Sequence, residues 1–189
     1  MKKILSLLLV SLILVIIVIG SGAYNIAATE KHWGITEKLI AWVRDSSIEA
    51  RSRDLKVPPL DDENLLSQGA EHYQAMCTIC HLAPGMKPTE LSIGLYPQAP
   101  VFHQREPIND QEKKLDRAKA YFWVIKNGLK MTAMPAWGLS HDDEDIWGMV
   151  AFTLKMSNMT PEQYQHLVSS AKDQAHEHGH EDSDHGHSH

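Results

Sequence analysis

Cys77-Thr78-Ile79-Cys80-His81 is the stretch on which the reading of this chain turns. Two thiols three positions apart can reach the two vinyl groups on one side of a haem, and an imidazole directly after the second thiol can meet the iron. A thioredoxin-like redox pair would need a βαβ surrounding, and half of a zinc site would need a second Cys or His pair. Cys77 and Cys80 are the two cysteines of the chain, which also excludes a disulfide framework. The expectation is that Cys77 and Cys80 hold one haem covalently and that His81 is its proximal iron ligand.

Working outward from this run, the patterns are helical, with almost no alternating β-branched segment. A first helix is expected to begin after Asp61 or Asp62 and to run through Leu65, Gly69 and Tyr73 to the cysteines, because either aspartate can accept from the free N–H groups of a helix start. A middle helix over roughly 113–126 stops at Asn127-Gly128, a pair that tolerates the left-handed backbone of a helix end. A last helix follows Ser140, which stands in capping-box spacing to Asp143, and acidic residues 142–145 suit the positive end of its dipole. It turns apolar through Ile146, Trp147, Met149, Val150, Phe152 and Leu154. The 189 residues, 43% of them apolar, allow one ordinary domain plus appendages.

At the N-terminus, Lys2 and Lys3 precede an almost unbroken apolar stretch from Ile4 to Ile19. Counted to Ala23, it reaches the length of a retained membrane anchor. A cleaved signal peptide shares the basic start, and Ser21 and Ala23 would serve as its cleavage site; the length favours the anchor. The flanking lysines leave the N-terminus in the cytoplasm and export the rest. Beyond it, Ile35, Leu39, Trp42 and Val43 recur at helical spacing, with Thr36 as a cap and Pro58-Pro59 as the stop. This amphipathic helix reads either as a stalk packed on the main domain or as a helix on the membrane surface, with His32 and Trp33 near the headgroups. The expected division is 1–23 anchor or signal peptide, 24–60 juxtamembrane helix and proline linker, 61–165 haem domain, and 166–189 unstructured tail.

On Gly69, Tyr73, Cys77, Cys80, His81 and the string KNGLKMTAMPAWG around Met134-Pro135, the sequence resembles the class I c-type cytochromes. It is similar in particular to the single-haem domains of electron-delivering subunits of haem–copper oxidases. The resemblance spans about residues 62–160. It implies an all-α cytochrome c fold, several short helices around one covalent haem c, here preceded by a transmembrane helix. It also implies that Met134 is the distal iron ligand. The residues agree: a residue before proline is pushed towards extended backbone and can project from a loop, and His/Met ligation raises the haem potential. A methionine filling a core gap is the alternative, and Met131 and His141 are the rival ligands. Gly69 and Tyr73 look like a helix crossing, with Tyr73 meeting Trp147 or Ala151. The Pro84 carbonyl is the expected acceptor for His81 Nδ1. Trp137 reads as a cover for the haem edge or a core aromatic, and Tyr96, His103 and Arg105 as propionate partners or solvated loop residues.

His176, His178, His180, His185, His187 and His189 alternate with Glu, Asp, Gly and Ser near the C-terminus. Imidazoles and carboxylates on a flexible chain suit loose capture of copper, zinc or nickel; a solvated tail with no specific role is the alternative. The net charge of −6 comes with no basic patch, which argues against nucleic acid.

The function expected is one-electron transfer rather than catalysis, alone or within a larger redox complex, between protein donors and acceptors. The site expected is a single-pass protein of the inner (cytoplasmic) membrane, with the haem domain in the periplasm or outside the cell. An enzyme or gas-binding haem protein would need an open iron position. A metal-handling haem protein would make the tail its main actor.

Overall fold

The structure is a computed structural model that describes residues 2–178, with side chains to Ala171. All regular structure among these residues is helical, and the chain divides into two compact units between Ala41 and Trp42. The first unit holds α1 (Lys2–Gly20), a 19-residue helix long and apolar enough to cross a membrane, and the start of α2 (Gly34–Ser52). In the connection between them, Tyr24 Oη and His32 Nδ1 share a 2.6 Å hydrogen bond, and Trp33 meets the Tyr24 ring edge-on.

The second unit contains α3 (Glu63–His72), a π-helical turn (Tyr73–Cys77), α4 (Thr78–His81), α5 (Glu90–Gly94), α6 (Gln111–Asn127), α7 (Asp143–Lys155) and α8 (Pro161–His178). Its starts are set by local chemistry. Asp62 accepts from Leu65 N at 2.9 Å, as expected, and Asp110 accepts from Lys113 N at 3.0 Å. At α7 the cap is Asp142 rather than Ser140: one oxygen of its carboxylate takes both Glu144 N and Asp145 N, and its charge suits the positive end of the helix dipole. A capping box does occur, at Thr89 and Ser92 ahead of α5.

The core is organised by the crossing of α3 on α7. A Cβ on Gly69 would fall inside the Gly148 carbonyl, and one on Gly148 would lie 2.9 Å from Leu65 O. The two backbones meet because neither residue has a side chain. On one side of this contact Leu65, Leu66, Ala118, Phe122, Ile146, Trp147, Val150 and Ala151 form a buried cluster in which Phe122 and Trp147 stack at 4.2 Å. On the other side, Tyr73, Phe152, Met156 and Tyr164 are almost completely buried. Tyr73 therefore meets Phe152 and Tyr164, and not Trp147 or Ala151, which belong to the first cluster.

Helix α8 corrects the expected boundary at 165/166. Helix continues to His178, and Tyr164, Val168 and Ala171 are buried against Ala70 and Tyr73. Composition suggested a solvated tail, yet Tyr164, Leu167, Val168 and Ala171 have the i, i+3, i+4, i+7 spacing of a buried helix face. Residues 179–189, with His180, His185, His187 and His189, lie outside the described residues; His176 and His178 stand in the last turn of α8.

Candidate functional site

The CTICH run begins in the π-helical turn and ends in α4, so the thiols of Cys77 and Cys80 and the imidazole of His81 lie on consecutive turns of one short helical segment. Both cysteines are free thiols and half-buried. Burial, with Cys80 nearby, pushes the Cys77 thiol up to about 12, so it is protonated at neutral pH. Gln74 braces the turn: its carbonyl accepts from Thr78 Oγ1, and its side-chain oxygen accepts from the Tyr164 hydroxyl at 2.7 Å.

His81 is held from two directions. Its Nδ1 donates to the Pro100 carbonyl at 2.8 Å, and Phe102 stacks on the ring at 4.8 Å with an interplanar angle of 22°. The acceptor expected from sequence, the Pro84 carbonyl, is replaced by one sixteen residues further on. The Tyr96–Pro100 stretch, whose role the sequence left open, thus ends on the His81 imidazole. Burial lowers the His81 pKa, the bond to Pro100 opposes that, and the Arg105 charge adds to it. The ring is kept neutral with its proton on Nδ1, which leaves Nε2 as a lone-pair donor for a metal.

The residue after His81 departs from ordinary backbone. Leu82 has φ 59° and ψ 160°, a region that costs an L-residue about 1–3 kcal/mol. The buried Tyr73 hydroxyl donates to its carbonyl at 2.8 Å, and its N–H bonds to Thr78 O at 3.0 Å. Tyr73 thus locks the chain direction behind the imidazole, a role that its helical spacing did not reveal.

Of the expected propionate partners, Arg105 has a defined place. Its guanidinium lies 5.5 Å from the Phe102 ring centroid and donates to the Tyr121 hydroxyl. His103 Nδ1 is a buried atom with no hydrogen-bond partner among the described residues. Trp137, half-buried, belongs to neither core cluster and meets His141 edge-on at 5.6 Å.

Met134 sits in the loop between α6 and α7, fixed at both backbone groups: its N–H donates to Thr132 Oγ1 and its carbonyl accepts from Leu129 N, each at 3.1 Å. Gly128 caps α6 at φ +66°, and a Cβ there would come within 2.9 Å of Met134 O, Pro135 C and Ala136 N. The loop rests on that missing side chain. Met131 is 96% exposed, and His141 is engaged with Ser140 Oγ and the His72 ring. Helix α6 serves both ends of the site: Tyr121 meets Phe102 beside His81, and Gly128, about 10 Å further along the axis, carries the Met134 loop. No cluster of three or more His, Cys, Asp or Glu suited to a metal ion occurs among the described residues.

Residues 64–152, from α3 into α7, match the family described as cytochrome C oxidase, cbb3-type, subunit III. No curated protein and no solved structure matches the chain. The match takes in Cys77, Cys80, His81 and the Met134 loop and leaves out α1, α2 and α8. A haem-bearing, electron-transferring role follows from such a domain, and the all-helical fold agrees with it. Residues 64–152 are therefore a monohaem c-type cytochrome domain of that family, carried behind an apolar N-terminal helix.

Proposed function

We propose that this protein is a one-electron carrier whose haem c is held by thioether bonds from Cys77 and Cys80 and ligated by His81 and Met134. The observation that carries the reading is the state of His81: Nδ1 is committed to the Pro100 carbonyl, so the imidazole is fixed in the tautomer that presents Nε2. The donor set fits the group, with a free thiol pair on one helical segment, a neutral oriented imidazole, and a thioether on a loop locked at both backbone groups. When bound, the haem supplies reversible one-electron iron chemistry at a potential raised by methionine ligation. His81 and Met134 would close both axial positions and leave none for a substrate, which favours transfer over catalysis.

Helix α1 supports a retained single-pass anchor in the cytoplasmic membrane, with its basic start inside and the haem domain on the exported side. The family's description points to protein partners in an oxidase-type assembly, one donating and one accepting electrons.

Spectroscopy of the oxidised protein tests the ligands. A low-spin ferric signal with the methionine–iron charge-transfer absorption is expected, whereas a high-spin ferric haem overturns the reading. Met134→Ala should lower the midpoint potential and let carbon monoxide bind the reduced haem. Met131→Ala should do neither, and an effect of Met131→Ala in place of Met134→Ala would reassign the ligand.

A further inference from the structure

Helix α2 carries an apolar strip that the haem site does not use. Ile35, Leu39, Trp42 and Val43 fall at i, i+4, i+7 and i+8 and are 75%, 55%, 68% and 55% exposed. The helix is not apolar all round: Glu37, Arg44 and Arg51 stand on other faces, and near its end Ile48 is half-buried and Ser52 buried. A contiguous apolar strip left in water marks a surface that something covers.

The start of the same helix says what covers it. Trp33, Tyr24 and Thr36 line a groove together with Leu14, Val15, Val18 and Ile19 of α1. The connection 21–33 thus folds back over the last turns of α1, as far as Leu14, about 9 Å before the helix end. Tyr24, His32 and Trp33 form one aromatic group there, with Tyr24 and His32 stacked at 5.9 Å. Where α1, about 28 Å long, spans a hydrocarbon core of about 30 Å, its end lies at the headgroup boundary and its last turns just beneath it, the zone in which tyrosine and tryptophan concentrate. Thr36, in the first turn of α2, is therefore held at the membrane interface.

We propose that α2 is an interfacial helix whose Ile35–Leu39–Trp42–Val43 strip lies in the boundary between phospholipid headgroups and acyl chains. The inference rests on α1 being a retained anchor. The occupant is lipid because the strip begins at an aromatic cluster already at the headgroup–acyl boundary. A narrow apolar face backed by charged residues, with tryptophan on the apolar side, is also the pattern of helices that lie in that plane.

Photolabelling of the full-length holoprotein in its native membrane tests this. A diazirine-bearing side chain is placed in turn at Leu39, at Leu12 within α1 and at Glu37, which lies off the strip, and adducts are identified by mass. Phospholipid adducts are expected at Leu39 at a yield comparable with Leu12, and several-fold lower at Glu37. Lipid adducts at Leu12 with polypeptide adducts or water quenching at Leu39 would overturn the interfacial helix while sparing the anchor. Absence of lipid adducts at Leu12 would overturn the anchor, and the inference with it.

Discussion

The two expected iron ligands are held by different means. Around His81, apart from the Pro100 carbonyl on Nδ1, the restraint comes from side chains: the Phe102 ring on its face, Arg105 and Tyr121 beside Phe102, and the Tyr73 hydroxyl on the next carbonyl. Around Met134 it comes mostly from backbone: the Gly128 cradle, Leu129 N–H and the Thr132 hydroxyl. A ligand on a helix can be set by packing, since the helix already satisfies its own backbone. A ligand on a loop needs its N–H and carbonyl satisfied first.

The contrast breaks most sharply at Gly128. Gly128→Ala adds a Cβ 2.8 Å from Met134 O, at φ +66° and ψ −176°, a region that alone costs an L-residue about 1–3 kcal/mol. The expected outcome is loss of the methionine–iron absorption and carbon monoxide binding to the reduced haem, with His81 still bound. Retention of the wild-type spectrum would show that the loop does not depend on the cradle.

Phe102→Leu attacks the other side and should act more gently. It removes the ring stacked on His81 but leaves the bond to Pro100, so the haem stays low-spin while its paramagnetic resonance g-values and midpoint potential shift. An unchanged g-tensor would mean that Pro100 alone sets the imidazole plane.

The smallest effect concerns the layer beneath Cys77. Burial raises the pKa of Tyr73 and pushes Tyr164 up to about 12. The unfolded chain loses these protons near pH 10, so the stability they contribute is intact below that pH and is lost as pH rises through the folded values. Tyr164→Phe should flatten the decline in unfolding free energy between about pH 10 and 12. Its loss of the hydroxyl bond to Gln74 should lower stability at pH 7 by about 0.5–1.5 kcal/mol, readable by denaturant titration.

What was legible in the sequence was what neighbouring residues decide. The order of CTICH, the cap at Asp62 and the stop at Asn127-Gly128 depend on positions within one or two turns, and the fold follows from them. The acceptor for His81 was not legible, because Pro100 lies nineteen positions further along the chain, beyond α5, and reaches Nδ1 only once that segment has folded back. The same holds for the Tyr73 hydroxyl, whose target exists only once Leu82 takes its left-handed φ. Helix α8 was obscured for another reason: its histidine-rich end gave the segment a solvated composition, while its four apolar positions kept helical register.

The contact between Gly69 and Gly148 has a consequence for descent. Every other amino acid carries a Cβ, so any single missense change at either codon drives an atom into the opposing backbone. Related chains that keep α3 and α7 at this separation should hold both glycines, and a lineage that loses one should show the two helices spread apart. The pair is thus a marker that can be traced through a gene tree independently of the haem ligands.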